Sequence, residues 1–175
     1  MRIAHIGSFN RNLGDNIAIL NVQKQFDKLI PNIDWVNLDI LEIFWSRNNN
    51  IDFVINFFKD NKFDAIVVGG GGLIEYRGYE KHQTHFKLPF NEQIMKSLDC
   101  PTFFVGLGIN YFRGREGFSD EAKKSFEAVI KYSSGFSLRN DGSINILKDL
   151  GLYSDKVKEV PDPGLIFDYK KITNY

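Results

Sequence analysis

The chain has 175 residues, 43% of them hydrophobic, with one cysteine and 22 basic side chains balanced by 22 acidic ones. That length suits one domain with its own core. The balanced charge excludes the strongly basic surface of a non-specific nucleic-acid binder, and a lone Cys100 excludes an internal disulfide framework. No apolar run approaches the roughly 20 residues that span a bilayer. Met1–Gly7 does not follow a signal-peptide plan, because glycine and polar residues come after only a few apolar ones. A cytoplasmic protein is expected.

The pattern alternates along the chain. Arg2–Gly7 reads as a strand and Asp15–Leu29 as a helix, with Ile17, Leu20, Val22, Phe26 and Leu29 giving an approximate apolar stripe. Asp34–Leu38 is a second strand and Ile51–Asn61 a second helix, and Ser46–Asn50 between them is a short polar loop. Asp64–Val68 is a third strand, Phe90–Leu98 a helix and Thr102–Leu107 a fourth strand. Ser119–Tyr132 is a helix with Ser119 as N-cap and Asp120 and Glu121 favourably placed in its first turn. Gly135–Leu138 is a short strand, Asp141–Leu150 a helix stopped by Gly151, and Val157–Val160 a last strand closed by Pro161 and Pro163. Strands alternating with helices predict a doubly wound α/β fold in three layers, with helices on both faces of a parallel sheet. Right-handed crossovers then bring the carboxyl ends of all strands to one rim. The sixteen phenylalanines, Phe53, Phe57 and Phe58 among them, fall at core spacing and read as packing.

The rim loops carry the candidate site. The third strand runs into Gly69, Gly70, Gly71 and Gly72, where a backbone can turn sharply and approach a ligand. The alternative is a strained turn beneath a packed helix. Gly7–Asn16 joins strand to helix, so its amides could face an anion, with Asp15 as the plain helix cap. The loop is neither GxGxxG nor a P-loop. Arg139 follows the fifth strand and suits two parallel hydrogen bonds to a carboxylate or phosphate; the bland alternative is an ion pair with Asp141. Asp162, between two prolines, is rigidly placed, either in a site or orienting a neighbouring loop. His82 and His85 have metal-sharing spacing but no third ligand stands out. His5 reads as a hydrogen-bonded core histidine and Cys100 as packing. Asp39 ends the second strand, where a dinucleotide site would want an acid, but the glycine fingerprint that should accompany it is missing.

Five segments taken together resemble the polysaccharide pyruvyl transferase family. They are Gly14-Asp15-Asn16-Ile17-Ala18, the Gly69–Gly72 run with Leu73, Gly106-Leu107-Gly108, Ser137-Leu138-Arg139-Asn140-Asp141 with Ser143, and Pro161-Asp162-Pro163. Asn140 stands where the family often has aspartate, and Gly72 where it often has serine. The resemblance implies a Rossmann-like domain equivalent to the N-terminal half of a two-domain, GT-B-type glycosyltransferase arrangement, with the active site between the halves. It implies transfer of a pyruvyl group from phosphoenolpyruvate to a saccharide or lipid-linked saccharide of a cell-surface polysaccharide, without metal or organic cofactor. A second domain or a homo-oligomer is the expected partner. Gly14, Asp15, Asn16, Gly70, Gly71, Gly72, Gly108, Arg139 and Asp162 become the expected substrate-binding residues, with Arg139 holding the anion. The rival reading is a binding half that grips an anionic or nucleotide-sugar ligand and catalyses nothing alone.

Overall fold

The computed structural model describes residues 1–43, 50–75, 90–110 and 118–166. Ser46–Asn49, His82 and His85 lie outside those residues. Among the described residues, β1 (Arg2–Gly7), β2 (Asp34–Asp39), β3 (Ala65–Glu75), β4 (Thr102–Asn110), β5 (Gly135–Arg139) and β6 (Val157–Val160) form one sheet in the order β2-β1-β3-β4-β5-β6. Every neighbouring pair is parallel. The chain is therefore a Rossmann-like α/β protein. Strand order reverses between β1 and β3, which is where doubly wound sheets open a crevice at their carboxyl rim.

Two apolar layers explain why the sequence folds this way. Ile66 and Val68 face one side of the sheet and Val67 the other, and all three are essentially fully buried. A strand buried on both faces has this continuous β-branched run. Helices α3 (Ile51–Asn61), α4 (Glu92–Ser97), α5 (Asp120–Tyr132) and α6 (Ser143–Asp149) cover the first side through Val54, Phe58, Ile94, Phe126 and Leu147. Edge-to-face pairs such as Phe90–Phe104 (5.3 Å) and Phe118–Phe126 (5.4 Å) fill that layer. Helix α1 (Leu13–Leu29) covers the second side through Val22 and Phe26. His5 belongs to that second layer, fully buried, with Nε2 3.3 Å from the Gly69 carbonyl.

Several boundaries differ from the sequence-based expectation. β3 does not stop at Val68: it continues through all four glycines to Glu75. β4 likewise extends to Asn110, and the two strands pair at Gly69↔Val105, Gly71↔Leu107 and Glu75↔Asn110, with a register shift between Gly71 and Ile74. A ladder partner overrides the poor strand propensity of glycine, and the irregularity absorbs its strain. Pairing with β1, by contrast, ends at Val68. Helix α1 starts at Leu13, capped by Asn12, whose side chain accepts from the Gly14 amide at 2.8 Å. Asp15 is thus a first-turn residue rather than the cap. Asp141 precedes α6, because Gly142 adopts φ 92° before the helix can begin. A four-residue helix, α2 (Ile40–Ile43), follows β2 unannounced by any apolar periodicity.

Candidate functional site

Where β1 ends, the glycines of β3 lose their neighbour on that side and the first turns of α1 take its place. A side chain on Gly70, which has φ 83°, would stand 2.7 Å from the Ile19 N and Cα atoms. One on Gly71 would stand 2.6 Å from the Asp15 carboxylate. The glycine run is therefore not a turn but a bare strand on which a helix rests, and the closeness holds Asp15 at the rim. The alternative of a strained turn beneath a packed helix has the helix right and the turn wrong.

The segment after β6 completes the enclosure. The 3₁₀ turn Pro163–Leu165 is capped by Asp162, whose Oδ1 accepts from the Gly164 amide at 2.8 Å. Pro163 lies on Gly106 of β4, which has φ 59° and no room for a side chain there. Its carbonyl accepts a 2.7 Å hydrogen bond from Nδ2 of buried Asn21 on α1. The turn thus bridges from the edge strand across β4 to α1. Between these parts lies a cleft of about 510 Å³, bordered by Asn12, Asp15, Gly71, Asn110, Arg139 and Asp162.

Arg139 ends β5 and lies flat against Gly108, where a β-carbon would meet the guanidinium at 2.5–2.6 Å. Its Nε donates to Asp141 and its Nη1 to Asp162 at 3.3 Å. The expected ion pair with Asp141 is present, and a second carboxylate joins it. Burial pushes the Asp141 carboxyl up, but hydrogen bonds from Ser143 and Arg139 outweigh this and hold it below the usual carboxylate range. Asn140, where the family often has aspartate, accepts from the Asp162 amide at 3.1 Å. The guanidinium is held in one orientation, with its Nη2 end unclaimed among the described residues. Burial drives His5 the other way, down to about 4 despite its bond to the Gly69 carbonyl. A neutral ring there is structural. Cys100 is half-buried, its thiol pushed up by burial, which agrees with packing.

Of the expected residues, Gly14, Asp15, Gly71, Gly72, Arg139 and Asp162 border this one cleft. Gly70 and Gly108 lie just behind its wall, as the surfaces on which Ile19 and Arg139 rest. Asn16 does not join them. Successive helical residues point about 100° apart, and Asn16 lines a separate hollow toward β2. Sequence reasoning missed Asn12, Asn110, Asn21 and Gly164. Asn110 follows directly on the Gly-x-Gly strand, and its Nδ2 donates to the Gly72 carbonyl at 3.2 Å. Asn21 carries no signal beyond being a polar residue at a buried helical position.

The fold and cleft define a doubly wound parallel-sheet protein whose polar groups converge at the switch point of the strand order. A model of the polysaccharide pyruvyl transferase family matches residues 12–175, and the chain belongs to that family, whose members are transferases of polysaccharide biosynthesis. No curated protein matches the sequence significantly. Among solved structures, a dTDP-4-dehydrorhamnose reductase from Clostridium acetobutylicum is similar, with a TM-score of 0.45 and 13% identity over 86% of this chain. The chain spans 59% of that protein's length. No described helix is long and apolar enough to cross a membrane.

Proposed function

We propose that the chain forms the substrate-gripping, N-terminal half of a pyruvyl transferase that uses phosphoenolpyruvate as donor and a sugar of a cell-surface polysaccharide as acceptor. Two sugar hydroxyls add to the enol carbon, the bond from that carbon to the phosphate oxygen breaks, and a cyclic ketal and phosphate leave. One hydroxyl proton is balanced by protonation of the methylene and the other departs with the phosphate. Arg139 holds one anionic group of the donor, aided by first-turn amides of α1 and the backbone of Gly70–Gly72. Asp15 and Asp162 accept from sugar hydroxyls. The single observation that carries this reading is the pre-oriented Arg139, fixed by two carboxylates at the edge of the cleft, in a chain of this family.

The charge balance bears on what else is needed. Among the described residues, one guanidinium borders the cleft, and Asp141 and Asp162 already hold it. A multiply charged donor needs more cations than that, and a second Rossmann-like half or a second copy, closing over the rim, is the expected source of them and of the general acid. The reaction is expected in the cytoplasm, on a saccharide or lipid-linked saccharide. The two carboxylates that already hold Arg139 support a second reading, a saccharide-gripping half that catalyses nothing alone.

Calorimetric titration of the 175-residue chain with phosphoenolpyruvate separates the two. Loss of one charge-assisted bond in Arg139→Ala is expected to weaken donor binding by roughly tenfold or more. Donor binding unchanged by Arg139→Ala overturns the role given to Arg139.

A further inference from the structure

The hollow that Asn16 lines is the most informative feature the proposed chemistry leaves unused. It occupies about 410 Å³ between α1, the end of β2 and α2, with Phe9, Asn10, Asn16, Gln23, Asn37 and Asp39 on its walls. The first turns of α1 divide it from the Arg139 cleft, Asp15 facing one side and Asn16 the other.

Asp39 is the singular residue. It is only 8% exposed. Its Oδ1 is fully engaged, accepting from the Leu41 amide at 2.9 Å, the Glu42 amide at 3.1 Å and Arg11 Nη2 at 3.3 Å. Its Oδ2 is buried with no partner among the described residues. A buried carboxylate oxygen without a donor is costly and calls for one. The surroundings narrow what that donor is. Asp39 and Glu42 both border the hollow, which disfavours an anion. Arg11 on Asp39 disfavours a metal ion, and no group of three metal-ligating side chains exists among the described residues. What remains on the walls is carboxamide and apolar surface. Gln23 Nε2 donates to Asn37 Oδ1 at 2.7 Å, leaving the Gln23 oxygen and the Asn37 amide group to face a ligand. Phe9, Ile19 and Leu20 offer apolar surface for the C–H face of a ring.

We propose that this hollow is a sugar-binding subsite, in which a small turn of the Asp39 carboxylate brings Oδ2 to its wall to accept hydrogen bonds from the vicinal hydroxyls of a neutral ring. Asp39 pairs with Gly7 at the end of β2, the place from which doubly wound sheets read ribose hydroxyls. Two sources share this chemistry: the ribose of a nucleotide and a pyranose of a glycan. The proposal stands on the hollow and its carboxylate, independently of how the Arg139 cleft is used.

The test deletes each partner in turn. The ¹⁵N-labelled 175-residue chain is titrated with adenosine and with methyl α-D-mannopyranoside, then with the 2′- and 3′-deoxyadenosines and the 2-deoxy mannoside. The readout is the amide resonances of Asn10, Asn16, Leu41 and Glu42. One of the two diol compounds is expected to move these resonances, with its deoxy counterparts binding roughly tenfold or more weakly. Asp39→Asn is expected to weaken binding comparably, since it keeps a cap for the Leu41 and Glu42 amides but presents a donor in place of Oδ2. Shifts from adenosine alone assign a nucleotide ribose, and shifts from the mannoside alone assign a glycan. If neither compound moves these amides at tens of millimolar, or if deoxygenation changes nothing, the hollow is merely solvent-filled and the proposal fails. The comparison of probes on wild-type protein stands even if Asp39→Asn unfolds.

Discussion

Gly70→Ala separates a glycine demanded by a helix from one demanded only by its own backbone. At φ 83° any side chain sits in the left-handed region, at a cost of roughly 1–2 kcal/mol. The added carbon would also stand 2.7 Å from backbone atoms of Ile19, which cannot rotate away. Overpacking of that kind costs about 1–3 kcal/mol. The two add to about 2–5 kcal/mol, or a fall in Tm of roughly 4–20 °C for a chain of this size. Gly142 supplies the control: it has φ 92° but nothing within 4 Å of the added carbon, so Gly142→Ala should cost only the backbone share. Urea unfolding followed by tryptophan fluorescence measures both. Gly70→Ala should lose more stability than Gly142→Ala by about the overpacking cost of 1–3 kcal/mol. Equal losses would refute the claim that α1 rests directly on the bare strand, and with it the reason Asp15 is held at the rim.

Two further outcomes follow from buried polar groups. His5 titrates at about 4 in the folded chain against 6.5 when exposed. Between those values the unfolded chain takes up a proton that the folded chain refuses. Stability should therefore fall by about 3 kcal/mol as the pH drops from about 6.5 to about 4. Urea midpoints across that range should show the loss, and His5→Gln should flatten the slope; an unchanged slope would contradict the assignment. Asn21→Ala strips the buried Pro163 carbonyl of its 2.7 Å donor, at about 1–3 kcal/mol. Hydrogen exchange should then quicken at Gly164 and Leu165 before the sheet is affected, and unchanged exchange there would mean that the turn is held by other contacts.

Local chemistry was legible in the sequence, and encounters between distant segments were not. Arg2–Gly7, Ile51–Asn61 and Val157–Val160 coincide with β1, α3 and β6, and Ser119 caps α5 through the Ala122 amide, because periodicity and capping are properties of neighbouring residues. The extension of β3 through four glycines depends on β4 lying alongside, which no local preference announces. Arg139 was legible as an anion-binding candidate and Asp141, two residues away, as its partner. That Asp162 arrives on the other side depends on the turn after β6 reaching back across the sheet. Asn16 was grouped with Asp15 because they adjoin in sequence, yet helical rotation turns them into different hollows. The family motifs mark which backbone segments meet at the rim more faithfully than which side chains face one cleft.

The central claim is that the Arg139 cleft receives phosphoenolpyruvate, and mapping the donor on the ¹⁵N-labelled chain tests it most directly. Titration should move the amides of Asn12–Asp15, Gly71, Gly72 and Gly164 together with the Arg139 Nε resonance, and in Arg139→Ala the same amides should need roughly tenfold or more donor to move. Shifts confined to the Asp39 hollow, or saturable shifts that leave Arg139 and the first turn of α1 untouched, would contradict it.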